Sequence, residues 1–247
     1  MQRLVLIAVV VAALAGGGVG VTHTAIFAAR TITVKGESHL SEPAVLKLAG
    51  VHSGTNVFYL DADAVRARLI ADPWVADATV VRRLPSTVLI TIDEVRPVGI
   101  TASAQDPLLL AQDGTVLGPA PAGTRLPAVG TAGETRASGA TRALGAMPTA
   151  LLVRVRSVTV AVDGRITLTL RDGVIVTYGD ATEADRKAQA LRAVITWARN
   201  QPIGVISIDV SSPAVPTARL RGATAATAVA PPTPSGSPVS PSSTRSP

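Results

Sequence analysis

The sequence predicts an α+β protein on a single N-terminal transmembrane helix: a small β-α-α-β-β unit, a mostly antiparallel β unit with one covering helix, and a disordered C-terminal tail. Three observations carry this. Between residues 31 and 97 the apolar period switches from two to about 3.6 and back, as strands flanking helices require. Between residues 153 and 178 two Asp-Gly turns separate three alternating runs, and an amphipathic stripe follows. No Lys, Arg, Asp or Glu falls between Arg3 and Arg30.

That uncharged run, residues 4–29, can cross a hydrocarbon core of about 30 Å at about 1.5 Å per residue. Residues 1–3 are then a short cytoplasmic end. Arg3 and the N-terminal amine place the N-terminus inside and the rest of the chain outside, although Arg30 weakens the contrast. A cleaved signal peptide is the rival, since Ala13-Leu14-Ala15 fits the small-x-small pattern, but it leaves a short apolar core and a long apolar remnant. Gly16 and Gly20 form a minimal helix-packing motif, for which glycine richness alone is a sufficient account.

Residues 30–97 form the first folded unit. Thr31 to Val34 alternates as a strand; Ser41 stands at an N-cap before Val45, Leu46, Leu48 and Ala49, and Gly50 ends that helix. Asp61 caps a second helix with Ala62, Val65, Leu69 and Ile70 on its buried stripe, and Asp72-Pro73 stops it. Two strands follow, Ala76 to Arg83 and Thr87 to Asp93, joined by Leu84-Pro85-Ser86. The order gives a small sheet with two helices on one face.

Residues 98–222 form the second unit. Val98 to Ala104 and Pro107 to Ala111 are strands, and Asp113-Gly114 turns into Thr115 to Leu117. Residues 118–149 read as loop, with a strand at Leu126 to Val129 and a weak helix near Arg142 to Met147 closed by Pro148. The meander Val153 to Val162, Ile166 to Leu170, Val174 to Tyr178 precedes a helix from Thr182 to Arg199, whose stripe is Ala184, Ala188, Leu191, Val194, Ile195 and Ala198. Val205 to Val210 and Val215 to Leu220 are the last strands, and nothing after Gly222 is expected to pair with them. Residues 223–247 are a Pro/Ser/Thr/Ala tail with Arg245 its one charge.

The phrases ITVKG, AGVHSGTNVFYLD, PWVADATVVRRLP and STVLITIDEVRP resemble the POTRA domain of the bacterial cell-division family FtsQ/DivIB, and LTLRDGVIVTYGD, DRKAQALRAVI and ISIDVSSP resemble its extracytoplasmic β domain. The resemblance covers roughly residues 20 to 222 and implies a non-enzymatic, bitopic protein of the cell membrane at the division septum. Its implied partners resemble FtsB and FtsL, among other divisome membrane proteins, with no cofactor and no nucleic acid. It makes the POTRA domain a docking unit in which Val80 and Arg82 lie near a strand edge; charge reversal at Arg82 should impair localisation without lowering the melting temperature. Two departures stand out. The apolar run begins at Leu4, so a cytoplasmic tail is nearly absent or translation starts upstream, and Ser211, Ser212, Pro213 and Ala214 occupy the place of the family's aromatic and Arg side chains.

Catalysis finds no constellation in the sequence. There is no cysteine, which excludes a thiol nucleophile, and His23, His39 and His52 lack partners at metal-ligand spacing. Ser38 beside His39 is adjacency without a nucleophile elbow, and the glycines from Gly130 to Gly145 lack G-K-[ST]. Asp93 and Glu94 point to opposite faces of a strand and read as a solvated strand end, so alanine at Ser38, His39 or this pair is expected to leave function intact. Trp74 and Trp197 read as core or boundary anchors.

The net charge of +6 invites a nucleic-acid partner. Residues 30–98 carry eight basic and eight acidic side chains, and residues 99–222 carry thirteen against nine, so the excess is modest; with aromatics at 2% there are few stacking platforms. A cell-wall-binding protein, secreted or anchored, is the alternative function.

The resemblance places partner binding at the C-terminal edge strand, through Val215, Thr217, Ala218, Arg219 and Leu220. As the outer strand it would offer unpaired backbone groups to an incoming strand, and Pro216 suits an edge because it lacks an N–H. Ala218→Pro is expected to weaken partner capture, and deletion of residues 223–247 to be harmless.

Overall fold

A computed structural model describes residues 25–103, 105–131, 134–223 and 225–229. The chain divides into two compact units, meeting at Arg96 and Pro97. Among the described residues no helix is long and apolar enough to cross a membrane, and residues 4–24 of the expected transmembrane helix lie outside them.

The first unit begins with a 3₁₀ turn, Ala25–Phe27. This revises the end of the expected span: Ala28 bridges Asn56 and Ala29, 1% exposed, joins the core, so the last residues of the uncharged run belong to the fold of the first unit. Strand β1 (Thr31–Lys35) leads to helix α1 (Glu42–Ala49) and helix α2 (Ala62–Ile70), then to β2 (Val75–Arg83) and β3 (Thr87–Glu94). The caps follow the sequence. Asp61 accepts from the N–H groups of Asp63 and Ala64, and Gly50 closes α1 in the left-handed conformation at φ 65°. Ser41 holds the N-cap position without a side-chain hydrogen bond.

The sheet order is β1-β3-β2, with β1 parallel to β3 and β2 antiparallel to it. Val88, Ile90 and Ile92 from the central strand meet Val45, Ala49, Val65 and Leu69 from the helices in one buried cluster. At two-residue spacing in the strand and roughly 3.6 in the helices, these are the positions that face each other.

The second unit is one ten-stranded sheet. Its first strands are β4 (Gly99–Thr101), β5 (Leu108–Leu110), β6 (Val116–Pro119) and β7 (Ala128–Thr131). Helices α3 (Glu134–Gly145) and α4 (Thr149–Leu152) precede the meander β8 (Val155–Val160), β9 (Ile166–Leu170) and β10 (Ile175–Gly179). Helix α5 (Ala184–Ala198) then crosses to β11 (Val205–Asp209), β12 (Thr217–Leu220) and β13 (Thr227–Ala228). The order is β13-β12-β11-β10-β9-β8-β7-β4-β5-β6. Parallel pairing occurs only at β4/β7, β7/β8 and β10/β11 in this sheet of described residues.

Two elements depart from the sequence expectation. Helix α3 starts at Glu134, well before Arg142, because burial of Ala140, Ala143 and Leu144 overrides the weak propensity of a Gly/Thr-rich segment. Strand β13 lies inside the tail expected to have no fold; residues 230–247 lie outside the described residues.

Candidate partner-binding surfaces

The C-terminal edge is built from β11 outward. α5 returns the chain so that β11 lies parallel to β10, with Ile175 opposite Ser207 and Thr177 opposite Asp209. The Asp209 carboxylate then accepts from Ser211 N–H and Oγ at 2.9 and 2.6 Å and shapes the turn into β12. β12 pairs antiparallel with β11, Asp209 against Thr217 and Ile208 against Ala218.

Backbone direction follows from two bonds. Arg221 N–H donates to Gly204 O at 2.8 Å, so Thr217, Arg219 and Arg221 point their backbone groups at β11. Val229 N–H donates to Pro216 O at 2.8 Å, so Pro216, Ala218 and Leu220 point the other way, toward β13. The missing N–H of Pro216 falls on that outer side.

The expectation that nothing after Gly222 pairs with this strand is therefore corrected. Gly222, at φ 82°, turns the chain back, and β13 sets Ala228 opposite Thr217 and Thr227 opposite Ala218. Val229 is 6% exposed and belongs to the core of the second unit, so apolar burial holds the segment down. The available signal was the spacing Thr227-x-Val229 after a glycine. Of the expected site residues, Ala218 has a buried side chain, Thr217 and Leu220 are half-buried, Arg219 is exposed, and Val215 is 60% exposed just before the strand.

In the first unit β2 is an edge strand. Val80 is half-buried against the core. Arg82 is not free for a partner: its Nη1 donates to Phe58 O at 3.2 Å and Leu60 O at 2.7 Å, tying the loop before α2 to the sheet. Reversing that charge removes both bonds, so a lower melting temperature is now expected in place of an unchanged one.

The polar residues weighed for catalysis have structural work. Glu94 accepts from the N–H groups of Ser38, His39 and Leu40 at 3.0, 2.7 and 2.9 Å, which corrects its description as a solvated strand end. Burial pushes its pKa up, and the three N–H groups with the nearby His39 outweigh that and hold it below its ordinary 4.5. The His39 ring stacks on Trp74 at 3.5 Å, and Trp197 packs against the second core. Lys187, 2% exposed, donates to the Asp180 carboxylate at 2.6 Å and to its carbonyl at 3.1 Å. The Lys187 bond, with two more from Thr182, holds the Asp180 pKa down at about 2, locking the start of α5. Among the described residues no group of His, Cys, Asp or Glu has the arrangement of a metal site.

Comparison with known proteins follows the same division of the chain. Residues 27–94 match the family model described as POTRA domain, FtsQ-type, and residues 101–211 match that of cell division protein FtsQ/DivIB, C-terminal. β12 and β13 lie beyond the second match. The cell division protein FtsQ of Mycolicibacterium smegmatis is 34% identical over 200 residues, which cover 79% of this chain and 58% of that protein. FtsQ of Mycobacterium tuberculosis is 33% identical over 220 residues, covering 87% of this chain and 68% of that one. The chain thus spans well under the full length of these relatives. A solved structure of the major extracytoplasmic domain of DivIB from Geobacillus stearothermophilus aligns with a TM-score of 0.34 at 20% identity, covering 44% of this chain and 98% of that one. Matched in both units and along most of its length, the chain belongs to the FtsQ/DivIB family of cell division proteins.

Proposed function

We propose that this chain is a non-enzymatic, single-pass membrane protein of the division septum that binds partner division proteins resembling FtsB and FtsL through the β12 edge. The observation that carries the reading is the β12–β13 pairing. It is two residues long, on a strand of four, and it covers the side of β12 to which Ala218 directs its N–H. A longer partner strand that offers its own apolar residue to the Val229 position replaces β13 and extends the ladder. Such capture depends little on side chains, in keeping with Ser211 to Ala214 standing where the family has larger ones.

The anchor reading retains residues 4–24, which are 21 in number and span about 31 Å at about 1.5 Å each, still membrane length. Each unit carries its own core, which suits two docking bodies on one tether.

Binding of purified partner ectodomain to the full chain tests the site. Ala218→Pro, which deletes the N–H facing outward, should abolish capture. Truncation after Gly222 should tighten capture, since no tail strand competes, while lowering the melting temperature. Wild-type binding by Ala218→Pro sinks the assignment, and loss of binding on truncation moves the site into the tail.

A further inference from the structure

Three of the six aromatic residues in this chain, Phe27, Phe58 and Tyr59, gather at one place. The Phe27 and Phe58 rings lie 5.4 Å apart and those of Phe58 and Tyr59 5.2 Å apart, both edge-on. The loop is held to the first described residues by Val57 N–H donating to Phe27 O at 2.8 Å, and it is braced within itself by Asn56 Oδ1 accepting from Phe58 and Tyr59 N–H at 2.9 and 3.3 Å. Despite this rigid hold the rings face solvent: Phe58 is 41% exposed, Tyr59 50%, and neighbouring Ile26 54%.

The same end of the sheet carries Leu84, 57% exposed, in the β2–β3 turn. Its place is fixed because Arg30 N–H donates to Ser86 O at 2.9 Å and Thr31 pairs with Thr87. Arg83, opposite Thr87, and Arg30 and Arg82 are exposed there too. The acidic residues adjoining them are Asp61 and Asp63 at the start of α2, and the Asp61 carboxylate is engaged by the helix N–H groups at 3.0 and 3.1 Å. One end of this unit therefore presents exposed apolar and aromatic side chains together with the exposed arginines Arg30 and Arg83.

We infer that this end of the first unit seats on the lipid surface, with Phe58, Tyr59 and Leu84 at headgroup depth and Arg30 and Arg83 against anionic headgroups. The inference rests on the anchoring of residues 4–24 proposed above. The occupant follows from the sequence: Ile26 and Phe27 lie inside the charge-free run that ends at Arg30, so the first unit begins directly after the proposed anchor. From Ala25 to Phe27 the chain reaches at most about 7 Å, comparable to the headgroup layer on one side of a bilayer. Rings with an apolar body and basic residues with long stems are what that layer retains. The seat removes exposed aromatic surface from water and restricts how the unit swings on its tether.

The test uses the full chain in phosphatidylcholine vesicles with and without phosphatidylglycerol. Because the chain has no cysteine, single labels can be placed by Leu84→Cys and Tyr59→Cys, with Lys35→Cys at the far end of β1 as reference. Flotation after a carbonate wash reports the anchor, and quenching of an environment-sensitive fluorophore by lipid-borne nitroxide or by aqueous iodide reports the seat. Labels at 84 and 59 should shift to the blue and be quenched by the lipid nitroxide, more so with anionic lipid, while the label at 35 answers to iodide alone. Arg83→Glu should lessen lipid quenching at position 59 with flotation unchanged. Iodide quenching at 84 and 59 equal to that at 35, in a chain that floats, overturns the seat and leaves the anchor standing. Shielding from both quenchers overturns it in favour of a protein cover. A chain that fails to float overturns anchor and seat together.

Discussion

Gly36 ends β1 at φ 88°, and a methyl group on it would run into the carbonyl oxygen of Ile92 in the neighbouring strand. Two residues on, Glu94 takes the three N–H groups of Ser38 to Leu40. One glycine and one carboxylate thus fix where the chain leaves the sheet for α1. Gly36→Ala combines a left-handed backbone with a main-chain clash, a cost of about 2–4 kcal/mol that should lower the melting temperature by roughly 10 °C or more. Glu94→Ala should cost about 1–2 kcal/mol, since the N–H groups it frees are reached by water. Because its pKa is lowered in the fold, Glu94 contributes stability above its ordinary 4.5 that is lost as pH falls through the lowered value. Thermal melts of parent and Glu94→Gln over that range should therefore converge at acid pH; a constant gap between them would contradict the clamp. The sequence showed the glycine and the carboxylate but not what each one meets, because Glu94 stands 54 to 56 positions along the chain from the N–H groups it holds, and only the parallel β1–β3 pairing brings those segments together.

At the scale of elements, legibility tracked how local the stabilising signal is. Asp61, Gly50 and the two Asp-Gly turns mark boundaries by chemistry within four residues, and those helices and strands fell where the pattern placed them. α3 has no such marks and owes its length to the core it covers, while β13 is two residues long and gains its partner only from the finished sheet. The candidate site divided likewise: β12 was readable as a strand, its occupied outer side was not. Val229→Asp puts a charge into that core position and should release β13, seen as faster amide exchange at Ala218 and a lower melting temperature. Arg82→Glu should destabilise the first unit by about 1–2 kcal/mol through its two carbonyls, and an unchanged melting temperature would return Arg82 to the surface role the sequence suggested.

At the scale of the whole molecule the described residues form two buried hydrophobic clusters with no member in common, one drawn from residues 29–92 and one from residues 98–229. Residues 25–96 made alone should accordingly unfold in a single cooperative thermal transition; a non-cooperative melt would show that the first core is incomplete. With roughly balanced charge in the first unit and a modest basic excess in the second, neither unit carries the strong net charge that long-range steering of a partner requires.

The parallel pairing of β1 with β3 also decides how the first unit bears load. A pull between the segment before Ala25 and the chain beyond Arg96 tugs the start of β1 and the end of β3 in opposite directions. Those points lie at opposite ends of a parallel pair, so the registers from Thr31 with Thr87 to Lys35 with Thr91 are sheared together instead of peeling one after another. Along that axis the unit is a mechanical clamp, one that should yield to a pull by a rare concerted rupture in place of gradual unzipping.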